Sequence, residues 1–204
     1  MSRFAPHPWG DRRRGRIGLL GGSFNPAHAG HRHVAELALK RLGLDQVWLL
    51  VSPQNPLKPV AGMAPLAERL AGARALVADH PRLIATDIER GLRTSVTVKT
   101  VAALRQRFPL ARFVWLMGAD NLAQVSRWRR WPQLFQAVPV AILARAPYSW
   151  NAGSAKAAVR FGACRLPDTR ARGLAGRRAP AWVFLHTRQH PASATAIRNE
   201  RTRP

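Results

Sequence analysis

The sequence predicts an α/β domain built on a doubly wound parallel sheet with helices on both faces. Three observations predict it. Short aliphatic runs closed by glycine or proline alternate along the chain with amphipathic stretches of helical period. The first fifty residues contain a complete strand–loop–helix–strand unit, whose short strands are aliphatic enough to be buried on both faces. The length, 204 residues, suits one such domain and is ample for a packed core.

The elements follow in order. Residues 16–20 form a first strand, read as ending at Gly21-Gly22. A polar loop, 23–30, leads to a helix over 31–42, with Val34, Leu37, Ala38 and Leu42 on one face and Gly43 as its stop. The second strand is 47–51. A loop with Pro53, Pro56 and Pro59 precedes a helix over 65–78, Pro65 fitting the first turn. Strands are expected at 83–86, 113–117, 138–143 and 182–185, and helices at 95–107 and 131–136. Residues 146–180, rich in Ala, Gly, Arg and Pro, give no element, and a short terminal helix is expected from Thr195. The division is a flexible basic extension, 1–14, and a single domain, 15–204.

Composition narrows the function. One cysteine, Cys164, excludes a disulfide framework and a cysteine-built zinc site. No apolar run approaches the roughly 18 residues of a membrane span, and no secretory segment follows the basic start. The expected compartment is the cytoplasm. Lys+Arg number 33 against 10 Asp+Glu, a formal charge of +23. Only Lys40, Lys58, Lys99 and Lys156 are lysines. That excess fits a phosphate-rich partner, nucleotide or nucleic acid. The spread of the charges along the whole chain slightly favours a solvated arginine surface over a nucleic-acid arm.

Three segments carry chemistry. The first is Gly21-Gly22-Ser23-Phe24-Asn25-Pro26-Ala27-His28-Ala29-Gly30-His31. It lies just past a strand's carboxyl end, where ligands bind in this class. Glycines admit a ligand to the backbone, and the helix N-terminus that follows attracts phosphate. Three-residue spacing puts His28 and His31 on one side, two donors for one anion. A metal site of His28, His31 and His33 is disfavoured, since only Glu36 is near as a carboxylate. Gly-Lys-Ser/Thr, Gly-x-Gly-x-x-Gly and Gly-x-Ser-x-Gly are all absent here.

The second segment is His190-Pro191-Ala192-Ser193-Ala194-Thr195-Ala196-Ile197-Arg198. It would offer free N–H groups, two hydroxyls and a guanidinium to phosphate; taken alone, it reads as an ordinary capped helix. The third is Gly118-Ala119-Asp120 after a strand, with Trp128 in an arginine-rich run. Asp120 is suited to accept ribose hydroxyls. Trp128 either offers a stacking face or packs into the core.

These residues resemble a known family. GGSFNPAHAGH is similar to the (H/T)xGH loop of the nucleotidylyltransferase superfamily, and SATAIR resembles its second phosphate motif. GADNL with Trp128, and the SxTxxT of 95–100, resemble the nicotinate-mononucleotide adenylyltransferase branch. The resemblance runs from about Arg16 to Arg198. It implies a Rossmann-like sheet and adenylyl transfer from ATP to nicotinate mononucleotide, giving nicotinate adenine dinucleotide and pyrophosphate on the route to NAD. It implies that Gly21, Gly22, Ser23 and Phe24 line the nucleotide loop, and that His28 and His31 meet the ATP phosphates and stabilise the transition state. Gly118 and Asp120 would touch the ribose. Ser193, Thr195 and Arg198 would hold the β- and γ-phosphates. Thr97 and Trp128 would bind the nicotinate ring, with Lys58 as a basic neighbour. Val96 stands where the family commonly has Tyr, and Lys99 near a position it keeps acidic or polar.

Mg²⁺ is expected with ATP, bridging its oxygens, and no protein metal site is expected. Nicotinamide mononucleotide and phosphopantetheine are alternative acceptors. A nucleic-acid-binding protein is the competing class; it accounts for the charge but not for His-x-Gly-His. Neither a membrane nor a specific nucleic-acid partner is expected.

Overall fold

The computed structural model describes residues 4–53, 62–144 and 152–186. A seven-stranded sheet is formed by β1 (Gly15–Gly22), β2 (Gln46–Val51), β3 (Leu83–Thr86), β4 (Ala111–Gly118), β5 (Val140–Leu143), β6 (Arg165–Leu166) and β7 (Trp182–Leu185). Its order is β3-β2-β1-β4-β5-β7-β6, and every pairing is parallel. Chain direction across the sheet reverses between β1 and β4. In a doubly wound sheet that crevice, at the carboxyl ends, is where ligands bind.

Helices α1 (Ala29–Arg41), α2 (Leu66–Leu76), α3 (Ile88–Gly91), α4 (Thr97–Arg107), α5 (Ala119–Gln124), α6 (Trp131–Ala137) and α7 (Lys156–Arg160) cover both faces. Strand alternation divides the core in two. Trp48 and Leu50 of β2, with Trp115 and Met117 of β4, join Val101 and Leu104 of α4 and Phe135 of α6. Val47 and Leu49, with Val114 and Leu116, join Ala38 and Leu39 of α1 and Ala73 of α2. Every residue of β2 is buried, as a strand covered on both sides requires.

Three expectations are corrected. Gly21 and Gly22 do not end the first strand; they pair with Leu50 and Val51 as its last two residues. Side chains are excluded at Gly21, where a Cβ would lie 2.8 Å from Cη2 of Trp115. The first helix begins at Ala29, two residues early, because His28 caps it. Residues 146–180 are not featureless. They contribute α7, the short β6 and a 3-10 run, Asp168–Gly176, that buries Ala171, Leu174 and Ala175. Such short and 3-10 elements leave no helical period to read.

The basic extension is described from Phe4 onward. Arg13 is held: its guanidinium lies over the rings of Trp48 and Phe108, 5.3 and 5.5 Å from their centroids, and pairs with Asp11 at 2.6 Å. The expected terminal helix lies outside the described residues.

Candidate active site

The site starts where β1 ends. The loop after Gly22 turns at Phe24, whose φ of 48° lies in the left-handed region. That conformation folds the Phe24 side chain back into the protein, where it is 1% exposed. Its Cε2 would stand 3.1 Å from a Cβ at Gly22, so the ring occupies the space a side chain there would need. On its other side it meets the His31 ring, centroids 4.7 Å apart.

Two histidines make the cap of α1. The Gly30 N–H donates to His28 Nδ1 at 3.1 Å. The His28 N–H donates to His31 Nδ1 at 3.3 Å. The reciprocal pattern is a capping box in which imidazoles replace the usual hydroxyl and carboxylate. It has a chemical consequence. A ring nitrogen that accepts a backbone N–H carries no proton, so each neutral ring bears its proton on Nε2. Both rings are thereby held as Nε2–H donors, with centroids 3.9 Å apart, at the positive end of a 13-residue helix. His28 is 5% exposed, and a donor in such a water-poor place acts more strongly on developing charge than it would in water.

The neighbouring strand supplies the opposite wall. Leu20 of β1 pairs with Leu116 of β4, so Gly21-Gly22 and Met117-Gly118 reach the same edge side by side. Gly118 is the N-cap of α5, and Asp120 sits in that helix's first turn. Thr97 is the first residue of α4, on the sheet face whose core includes Val101 and Leu104. Trp128 is half-buried against that same core, so both Thr97 and the tryptophan lie on the side of β4 away from α1. Val96 is the N-cap of α4, and Lys99 is exposed on its first turn. Lys58, Ser193, Thr195 and Arg198 lie outside the described residues. β7 runs parallel to β5, so the chain reaches Leu185 at the same edge of the sheet as Gly22 and Gly118.

Sequence reasoning missed Arg69. This α2 residue is 4% exposed. Its guanidinium donates to the carbonyls of Ala64 (2.9 Å), Ser23 (2.7 Å), Ser52 (2.8 Å) and Pro53 (2.9 Å). Burial lowers its pKa from the ordinary arginine value, but a guanidinium stays charged. The loop after β1 is thus tied at Ser23 to the end of β2 and the start of α2. Asn25 adds a second tie, donating to the Gly62 carbonyl at 3.0 Å and accepting from Ala64 N–H at 3.2 Å. No sequence signal marks Arg69 among the many arginines. Among the described residues, no group of three or more His, Cys, Asp or Glu is placed to hold a metal ion.

The model of a family described as cytidylyltransferase-like matches residues 19–200. The chain belongs to the cytidylyltransferase-like family. Relatives of this cytidylyltransferase-like chain include a protein of Gluconobacter oxydans, 54% identical over 90% of this chain and 93% of its own length. Another, from Methylorubrum extorquens, is 50% identical over 90% of this chain and 98% of its own. Both are named "Probable nicotinate-nucleotide adenylyltransferase". Among solved structures, the fold is shared with a nicotinic acid mononucleotide adenylyltransferase of Plasmodium falciparum complexed with NaAD. That match has a TM-score of 0.64 at 13% identity, over 90% of this chain and 82% of the other.

Proposed function

We propose that this protein is a nicotinate-nucleotide adenylyltransferase of the cytoplasm, acting in NAD biosynthesis. The 5′-phosphate of nicotinate mononucleotide attacks the α-phosphorus of ATP in line. The bond to the bridging oxygen breaks, pyrophosphate leaves, and nicotinate adenine dinucleotide forms without a covalent enzyme intermediate. Such transfers ask mainly for positioning and charge stabilisation. The two relatives' names support this reading of the substrate pair.

The observation that carries it is the double-histidine cap. Two Nε2–H donors, fixed by their Nδ1 bonds, stand at a helix N-terminus beside a glycine-lined strand end. They supply what a phosphate gaining negative charge needs, and no proton has to move to do so. Gly21, Gly22, Ser23 and Phe24 line the nucleotide side, with Gly118 and Asp120 at the ribose. Thr97 and Trp128 take the nicotinate ring, Lys58 its neighbourhood, and Ser193, Thr195 and Arg198 the outer phosphates. Mg²⁺ belongs to the substrate, arriving on the ATP phosphates.

The test is pyrophosphate release from Mg-ATP, with nicotinate mononucleotide, nicotinamide mononucleotide and phosphopantetheine supplied separately. Fastest turnover with the first acceptor supports the reading. Preference for another acceptor reassigns the substrate. No release with any, together with salt-sensitive RNA or DNA binding, overturns it in favour of a nucleic-acid binder.

A further inference from the structure

The two halves of the proposed site lie on opposite faces of the sheet, the nucleotide loop with α1 and the acceptor helix α4. One residue touches the supports of both. Ser52, directly after β2, uses its N–H, its carbonyl and its hydroxyl in three directions. The N–H donates to the Gly22 carbonyl at 2.9 Å. The carbonyl accepts from Arg69 Nη1 at 2.8 Å, and the same nitrogen holds the Ser23 carbonyl at 2.7 Å. The hydroxyl bonds the side chain of Glu89 on α3. Glu89 in turn accepts from Thr100 Oγ1 at 2.8 Å.

Thr100 is 0% exposed and sits one turn along α4 from Thr97. Glu89 is 7% exposed and Arg69 4%. A buried cation and a buried carboxyl therefore grip one serine from either side of the sheet. A buried polar group is costly unless hydrogen-bonded, so each keeps its partners. The bonds run without a break from the Ser23 carbonyl through Arg69 and Ser52 to Glu89, and from there to the turn of α4 that follows Thr97.

We infer that Ser52, with Arg69 and Glu89, is a positioning device that couples the nucleotide loop to the acceptor helix, so that binding of ATP prepares the site for the acceptor mononucleotide. The inference rests on the adenylyltransferase reading. None of the three residues touches substrate in this scheme; each acts through the segment it holds.

The test uses the full chain and measures nicotinate mononucleotide affinity by calorimetry, without and with a saturating non-cleavable ATP analogue. Coupling of this kind predicts at least about fivefold tighter binding with the analogue in the wild type. Ser52→Ala brings the ratio to within about twofold of one while the melting transition stays cooperative. Ser52→Thr, which keeps the hydroxyl, retains the wild-type ratio. A wild-type ratio of one overturns the inference, as does a Ser52→Ala chain with unchanged coupling. So does a Ser52→Ala chain that loses the ratio only along with its melting transition. A wild type that binds neither nucleotide refutes the adenylyltransferase reading itself, and the coupling with it. That failure is distinct from binding both without coupling.

Discussion

Substituting His28 by alanine removes two things at once, and the structure allows them to be separated. The first is a helix cap: the bond from Gly30 N–H to Nδ1. Loss of an N-cap side chain costs about 0.5–2 kcal/mol, which lowers Tm by about 2–4 °C per kcal/mol in a chain of this size. The second is the Nε2–H donor. A transition-state donor of this type is worth about 2.7–4 kcal/mol, or about 10²–10³ in kcat. Steady-state pyrophosphate release and a thermal melt read the two losses independently. His28→Asn divides them, because asparagine is a strong N-cap residue whose carbonyl can accept from Gly30 N–H. The expected result is recovery of most of the lost Tm with kcat still depressed at least about a hundredfold. Turnover of His28→Ala within about tenfold of wild type would refute the reasoning, and so would full activity in His28→Asn.

Other predictions follow from the same geometry. Trp128→Ala raises KM for nicotinate mononucleotide about three- to tenfold, the worth of one stacking contact, and leaves KM for ATP unchanged; a shift confined to ATP places the tryptophan on the wrong substrate. Gly21→Ala forces a methyl against the buried Trp115 ring at 2.8 Å and costs about 1–3 kcal/mol, read as a lower urea midpoint. Glu89 has its pKa raised, chiefly by burial, so the folded state binds its proton more readily than the unfolded chain. Its penalty is absent below the ordinary value of 4.5 and grows as pH rises through the raised folded value. Across that window wild-type stability should fall relative to Glu89→Gln; parallel denaturation curves at all pH values would contradict the burial argument.

Much of the frame was legible in the sequence for a physical reason. Strands covered on both faces must be continuously apolar, and 47–51, 113–117 and 182–185 are. Segments 31–42 and 95–107 carry helical spacing strong enough to place them within two residues. The paired histidines were legible because their three-residue interval permits one shared helix face. Their role as mutual caps was not, since imidazole is not among the usual capping side chains. Gly21-Gly22 misled in the opposite sense. Glycine commonly ends a strand, but here the ladder runs on through both residues, and Gly21 is glycine because the Trp115 ring fills the space a side chain would take. Arg69, Ser52 and Glu89 carried no signal at all. Their partners lie between 5 and 46 positions away in the chain, and nothing local distinguishes a buried arginine from a solvated one. Residues 146–180 were opaque because a 3-10 run of nine residues has neither the period of a helix nor that of a strand.

The seat of Arg13 bears on how the protein can be shortened. Cutting before Gly15 would look harmless from the sheet alone. It would, however, take away the cation covering Trp48 and Phe108 and turn toward water two rings that are otherwise fully buried. A truncated form that stays soluble should retain Asp11, whose carboxylate fixes that guanidinium in place.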